Sequence, residues 1–186
     1  PPLDSTLFPY TTLFRSIRKR DKSVYSREEA GHWEADTVVS GQGKSKACFA
    51  TLAERKTRFY IAMKMSDRRA ETMENAIVAA LSAFPPQLVK TITCDRGTEF
   101  ANWRRIEERL HCEVYFADPY CAWQKGTNEN LNGLLREFYP KGRNLSRVAP
   151  ATLKRNLALL NARPRKVLYF HSAQELWDFE LNSCCT

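Results

Sequence analysis

Residues 89–116 read VKTITCDRGTEFANWRRIEERLHCEVYF. Val89–Cys94 is a short, β-branched run suited to a strand. Gly97 and Thr98 open a segment in which Phe100, Trp103, Ile106 and Leu110 recur at steps of three and four, the period of one helix face. Cys112–Phe116 is a second strand-like run, closed by Asp118-Pro119. Upstream, Met73, Ala76, Ile77, Ala80, Leu81 and Phe84 mark a buried helix face that Pro85-Pro86 must stop. Before it, Trp33–Val39, Ala47–Ala53 and Arg58–Met65 are apolar, β-branched or aromatic runs. They are joined by the Gly41-Gln42-Gly43 turn and by Glu54–Thr57, which predicts three antiparallel strands. Strands followed by two strand-helix-strand alternations predict a mixed five-stranded α/β sheet with helices against it. Downstream, a helix runs from about Trp123 or later to Tyr139 and ends at Pro140. Another follows Pro150 with Leu153, Leu157 and Leu160 inward, and Ala173–Leu181 forms a last short one.

The 186-residue length suits one domain with a proper core. With 43% hydrophobic and 27% charged residues, the composition is that of a folded soluble chain. A formal net charge of +8 favours a polyanionic partner, with nucleic acid the default candidate. The six cysteines contain no C-x-x-C pair, and the three histidines are scattered, so no zinc-finger spacing exists. Free thiols in a reducing cytoplasm are expected. No apolar run approaches the ~20 residues that a bilayer requires.

Pro1–Ser16 differs in texture from the rest. Its Thr6–Ser16 string, TLFPYTTLFRS, coincides with the translation of a short-read sequencing adapter, so residues 1–16 are read as an artefact and excluded from fold reasoning. Residues 17–30 are charged and mixed and read as a linker, which leaves 31–182 for the folded core.

Three carboxylates have distinctive surroundings. Asp36 interrupts an apolar strand, where a carboxylate is unfavourable unless paired or metal-bound. Asp95 ends a strand just before a glycine turn, a position at which α/β sheets place ligand-binding residues. Glu129 lies on a helix whose core stripe is Leu131, Leu134, Leu135 and Phe138. At about 100° per residue it points roughly 170° away from that stripe, beside Lys125, Asn132, Gly133 and Arg136. Each residue alone is ordinary, since Asp36 fits an edge, Asp95 a loop cap and Glu129 an exposed helix. Together, three such groups can hold two hard divalent cations against a phosphodiester. Glu34 shares the face of Asp36 by strand alternation and ranks below the three, and Glu99 flanks the Asp95 motif.

The contexts of these residues resemble the catalytic core of bacterial transposases of the insertion-sequence-30 family, within the DDE transposase and retroviral-integrase class. The resemblance is carried by Gly31-His32-Trp33-Glu34-Ala35-Asp36, by Thr51–Arg58 and by Cys94-Asp95-Arg96-Gly97-Thr98-Glu99-Phe100. It continues through Tyr115–Tyr120, Trp123-Gln124-Lys125-Gly126-Thr127-Asn128-Glu129-Asn130, Asn132–Arg136, Phe138–Gly142 and Leu160–Lys166, and covers about Gly31 to Leu181. Arg96 stands where many relatives have Asn, and Cys121 where Ser is usual; neither change removes a carboxylate. Family members also carry N-terminal helix-turn-helix regions without counterpart in this sequence, so the chain is read as an isolated, N-terminally truncated catalytic core.

The resemblance implies a ribonuclease-H-like fold and a DDE mechanism. Asp36, Asp95 and Glu129 would be both catalytic residues and ligands of two Mg²⁺, with Mn²⁺ as substitute. The activity would be DNA cleavage followed by transfer of the freed 3′-hydroxyl. The implied partners are transposon-end and target DNA and further copies of the chain in a homo-oligomer, with no membrane and a cytoplasmic, nucleoid-associated location. Lys125, Asn128, Asn132 and Arg136 are candidate DNA contacts near the cut. Arg143, Arg163, Arg165 and Lys166 are candidates for the phosphate backbone, which positions DNA without specifying sequence. Trp123 is a candidate for stacking on a displaced base, or else a core or subunit contact. An inert DNA-binding or oligomerisation fragment and a ribonuclease-H-type nuclease are the rival readings.

Overall fold

The computed structural model describes residues 14–184, so most of the adapter-like string lies outside the described residues. Side-chain alternation organises the sheet. Strand β1 (His32–Val39) sends Trp33 and Ala35 into one core and Val38 into the other, and Glu34 and Asp36 share the face of Val38. Antiparallel β2 (Cys48–Glu54) and β3 (Tyr60–Met65) extend the sheet on one side of β1. On the other side β4 (Thr91–Cys94) pairs parallel to β1, and β5 (Glu113–Phe116) parallel to β4. The order is β3-β2-β1-β4-β5, the mixed five-stranded sheet that the run pattern predicts.

Helices cover both faces. α1 (Ala70–Leu81) and α2 (Trp103–Leu110) are the crossovers into β4 and β5, and they bury Met73, Ile77, Leu81 and Ile106 in the Trp33 core. The last helix, α5 (Ala173–Ser183), adds Trp177, whose ring meets that of Trp33 edge-on at 5.3 Å. Its start is fixed by a capping box in which Ser172 and Glu175 satisfy each other's backbone N–H groups. The opposite face receives α3 (Gly126–Phe138) and α4 (Pro150–Asn161), with Leu131, Leu135, Leu153 and Leu160 packed on Phe49, Tyr60 and Ala62.

Element boundaries differ from the sequence reading where backbone geometry intervenes. The third strand begins at Tyr60 and not at Arg58, because Arg58 turns the chain in the left-handed region at φ 61°. The helix expected from Gly97 is divided into a single turn at Thr98–Phe100 and α2. Residues 17–30 lie against the sheet, with Ile17, Arg20 and Val24 buried and Arg20 Nη1 donating to Thr93 Oγ1 at 2.8 Å. Among the described residues, no helix is long and apolar enough to cross a membrane.

Candidate active site

Parallel pairing of β1 and β4 puts Glu34 level with Thr93, so Asp36 and Asp95 arrive side by side two residues later. A cleft of about 390 Å³ opens there, lined by Asp36, Asp95, Asp118, Lys125 and Glu129 among others. Asp36 reaches it from mid-strand, Asp95 from the end of β4, and Glu129 from the first turn of α3.

Each aspartate is held by the backbone beside it. Asp36 Oδ1 accepts from Thr37 N at 2.8 Å, and Asp95 Oδ1 accepts from Gly97 N at 2.9 Å. At Gly97 an added Cβ would press on the Glu99 carboxylate and lie 2.9 Å from Asp95 Oδ1, so those two side chains would have to shift. Asp36 Oδ2 accepts from Asn132 Nδ2 at 3.1 Å, and Asn132 Oδ1 accepts from the buried Tyr60 hydroxyl at 2.6 Å. Lys125 lies between the two acids, its Nζ 3.2 Å from Asp95 Oδ2 and 3.5 Å from Asp36 Oδ1. It also donates to Ala35 O at 3.3 Å.

Burial pushes the Asp36 carboxyl above its ordinary value, Lys125 and the Thr37 N–H pull it back, and Asp95 adds a further upward push. Burial by itself would weaken the Lys125 ammonium, but Asp36 and then Asp95 outweigh it and raise its pKa. Both aspartates therefore point at one shared positive charge.

The donor set is all carboxylate oxygen, the chemistry of a hard cation such as Mg²⁺, which needs only one or two protein carboxylates and keeps its waters. Two acids converging on an ammonium fit such an ion. Glu129 is exposed on the cleft wall, and among the described residues no group of three or more His, Cys, Asp or Glu side chains could hold a metal ion.

The other expected residues have separate places. Asn128 is fully buried and is spent on the fold: its N–H donates to Glu34 Oε2 at 2.8 Å, and its Nδ2 donates to Glu34 O at 2.7 Å and Thr51 O at 3.3 Å. Glu34 pairs with Arg55 inside the protein, and Glu99 pairs with Arg68 while accepting from Thr37 Oγ1. Arg136 donates to Val39 O at 3.1 Å, and Arg143 is exposed beside the Tyr139 ring. Arg163 pairs with Glu137 at 3.2 Å, Arg165 donates to Arg58 O and Leu160 O, and Lys166 is exposed. Trp123, 72% exposed, is outside the core. Tyr60 escaped sequence reasoning because a tyrosine in a strand gives no sign that its hydroxyl reaches Asn132. Lys125 and Asn132 are legible as neighbours of Glu129 on one helix side and as candidate DNA contacts, but not as the partners of Asp36 that the structure makes them.

Residues 26–122, 97 of the 186, match the integrase core domain family. The chain belongs to that family. This integrase core is 36% identical over 166 residues to the probable transposase for insertion-like sequence element IS1161 of Streptococcus salivarius, covering 89% of the chain and 47% of that protein. It is 36% identical over 160 residues to transposase InsI for insertion sequence element IS30C of Escherichia coli (strain K12), covering 86% and 41%. The chain thus spans less than half the length of these curated relatives. Among solved structures, the catalytic core domain of BIV integrase superposes with a TM-score of 0.62 at 16% identity, covering 84% of this chain and 99% of that one. The HTLV-2 integrase catalytic core domain, solved in complex with magnesium, gives 0.58 at 13% identity, covering 79% and 95%. The fold is therefore that of retroviral integrase catalytic cores, the ribonuclease-H-like fold.

Proposed function

We propose that this integrase core is the catalytic domain of a DNA transposase, cutting DNA strands and transferring the freed 3′-hydroxyl to target DNA in a metal-dependent reaction. The observation that carries the reading is the convergence of Asp36 and Asp95 on one cation in a cleft that also holds Glu129. Matches to insertion-sequence transposases over most of the chain support it. Asp36 and Asp95, with Glu129 from the cleft wall, are the residues to hold Mg²⁺ or Mn²⁺. When bound, such ions activate the attacking oxygen and stabilise the leaving oxygen of an in-line displacement.

The chain's own residues prepare that chemistry. Tyr60 fixes the Asn132 amide, which fixes one Asp36 oxygen, while Thr37 N–H fixes the other. Gly97 N–H does the same for Asp95. Lys125 offsets the repulsion between the two acids, a cost that otherwise rises with burial. Arg143 and Lys166 are exposed cations for the DNA backbone, and Trp123 offers a stacking face near the cleft. The working assembly is a homo-oligomer on transposon-end and target DNA.

The test is nicking and strand transfer on an end duplex and on a pre-cut 3′ end, with Mg²⁺ or Mn²⁺. Asp95→Asn is expected to lower both by roughly 10³-fold or more. Equal activity in the variant sinks the proposed site. Nicking without strand transfer makes the chain a ribonuclease-H-type nuclease, and no metal-dependent activity makes it an inert fragment.

A further inference from the structure

At Thr127, in the N-terminal turn of α3, three arginines meet. Arg27 precedes β1, Arg58 precedes β3, and Arg165 follows α4. Arg27 Nη1 and Arg58 Nη1 both donate to one oxygen, the buried Thr127 Oγ1, at 2.8 and 3.5 Å. Arg165 Nη1 donates to the Arg58 carbonyl at 3.1 Å, which ties the third guanidinium to the other two. Among the described residues none of the three has a carboxylate within salt-bridge distance, although Glu34 attracts Arg27 and Arg58, and Glu54 attracts Arg27, from farther off. The carboxylates nearby are already engaged, Glu34 by Arg55 and Asn128 N, and Glu54 by Gly31 N and Thr57.

The cluster is costly in three ways. Arg27 and Arg58 both hold left-handed backbone, at φ 59° and 61°, a region that non-glycine residues seldom adopt. All three are partly buried, which strips hydration from a cation. They also repel one another: burial first, and then Arg27, bring the Arg58 guanidinium down to about 10. Strain, desolvation and like charge, with Glu34 and Glu54 close by but each hydrogen-bonded elsewhere, describe a site that an added anion would complete. Guanidinium forks match phosphate oxygens two at a time.

We infer that Arg27, Arg58 and Arg165 form a binding site for the phosphodiester backbone of the DNA on which the cleft acts, which rests on the transposase reading above. Position favours a polymer over a small ion. Arg55, whose carbonyl accepts from Arg27, is hydrogen-bonded to His32 O, four residues before Asp36. Four strand residues span roughly 13 Å. That is about four nucleotides of one DNA strand at ~3.4 Å per charge. Exposed Lys166 continues the basic track beside Arg165.

The experiment is duplex binding by fluorescence anisotropy across a salt series, with the whole chain, R27Q/R58Q and R27K/R58K. Each lost phosphate contact lowers the slope of log K against log salt by roughly 0.9, so R27Q/R58Q is expected to lose about two units. R27K/R58K, which keeps the charge, is expected to retain the wild-type slope. An unchanged slope in R27Q/R58Q overturns the site, and so does an equal loss in both double variants, which would mark a structural staple. Millimolar inorganic phosphate that raises the melting temperature of wild type alone, with equal slopes, assigns a free-anion site instead. Absence of salt-dependent duplex binding by the wild type removes this inference together with the transposase reading. Wild-type binding with an unchanged variant slope removes only the inference.

Discussion

Glu34 and Asp36 are two carboxylates on one face of one strand, two residues apart, and the fold treats them in opposite ways. Glu34 is fully buried, with Arg55 on one oxygen and the Asn128 N–H on the other. Asp36 keeps 29% of its side-chain surface and faces a cleft, where its partners are Thr37 N–H, Asn132 and Lys125. Glu34 joins three elements, since Arg55 opens the turn after β2 and Asn128 lies in the first turn of α3. Asp36 meets α3 only through Asn132 and the neighbouring Lys125, at the edge of the cleft. What separates a structural acid from a candidate catalytic one is therefore not burial alone. The difference is whether the carboxylate oxygens are consumed by groups that cannot leave.

The largest expected effects pull the pair apart along different axes. Asp36→Asn should lower metal-dependent cleavage by roughly 10³-fold or more while circular dichroism and melting stay those of a folded protein. Glu34→Ala should do the reverse, costing about 3–5 kcal/mol of stability because it leaves the Arg55 charge buried without a partner. Urea denaturation of both variants checks the contrast. A Glu34→Ala protein as stable as wild type would erase the distinction. A smaller loss, about 1–3 kcal/mol, is expected for Asn128→Ala, which abandons the Thr51 hydroxyl and the Glu34 carbonyl inside the protein. Because Asn128 precedes Glu129, crosslinking or spin labels on α3 should then report a looser helix start. An unaltered start would confine Asn128 to stability.

The same pair shows how far the sequence could be read. Alternation along His32–Val39 puts both acids on one face, and the strand-helix-strand run of 89–116 gives the sheet its mixed character, because these patterns are local and periodic. Glu34 and Asp36 differ through partners 21 and 96 residues away, Arg55 and Asn132. No local pattern carries that information. Asn128 shows the same limit: it lies in a polar helix start and reads as a DNA contact, yet the sheet beneath consumes its amide. Lys125 shares a helix side with Glu129, which periodicity gives, but its position between Asp36 and Asp95 depends on the parallel register of β1 and β4. Arg27 reads as part of a charged linker and Arg58 as the start of a strand, and their meeting at Thr127 is wholly tertiary.

The subtlest difference between the two acids is the pH dependence of stability. Burial raises the Asp36 carboxyl above its ordinary 3.8 despite Lys125. Its ionised form therefore burdens the native state above that raised value. As pH falls through it, the native protein takes up the proton before the unfolded chain does, and the burden is relieved. Other carboxyls, such as those of Glu29 and Asp118, are shifted downward by hydrogen bonds to Lys90 and Arg18 and act in the opposite sense as pH falls. The comparison that isolates Asp36 is the stability gap between Asp36→Asn and wild type, measured by urea denaturation in metal-free buffer. Asp36→Asn should be the more stable protein at pH 7.5, and the gap should shrink as pH approaches 4. A gap that is constant with pH, or that favours wild type at pH 7.5, would show that Lys125 fully compensates the buried charge and that Asp36, like Glu34, is part of the scaffold.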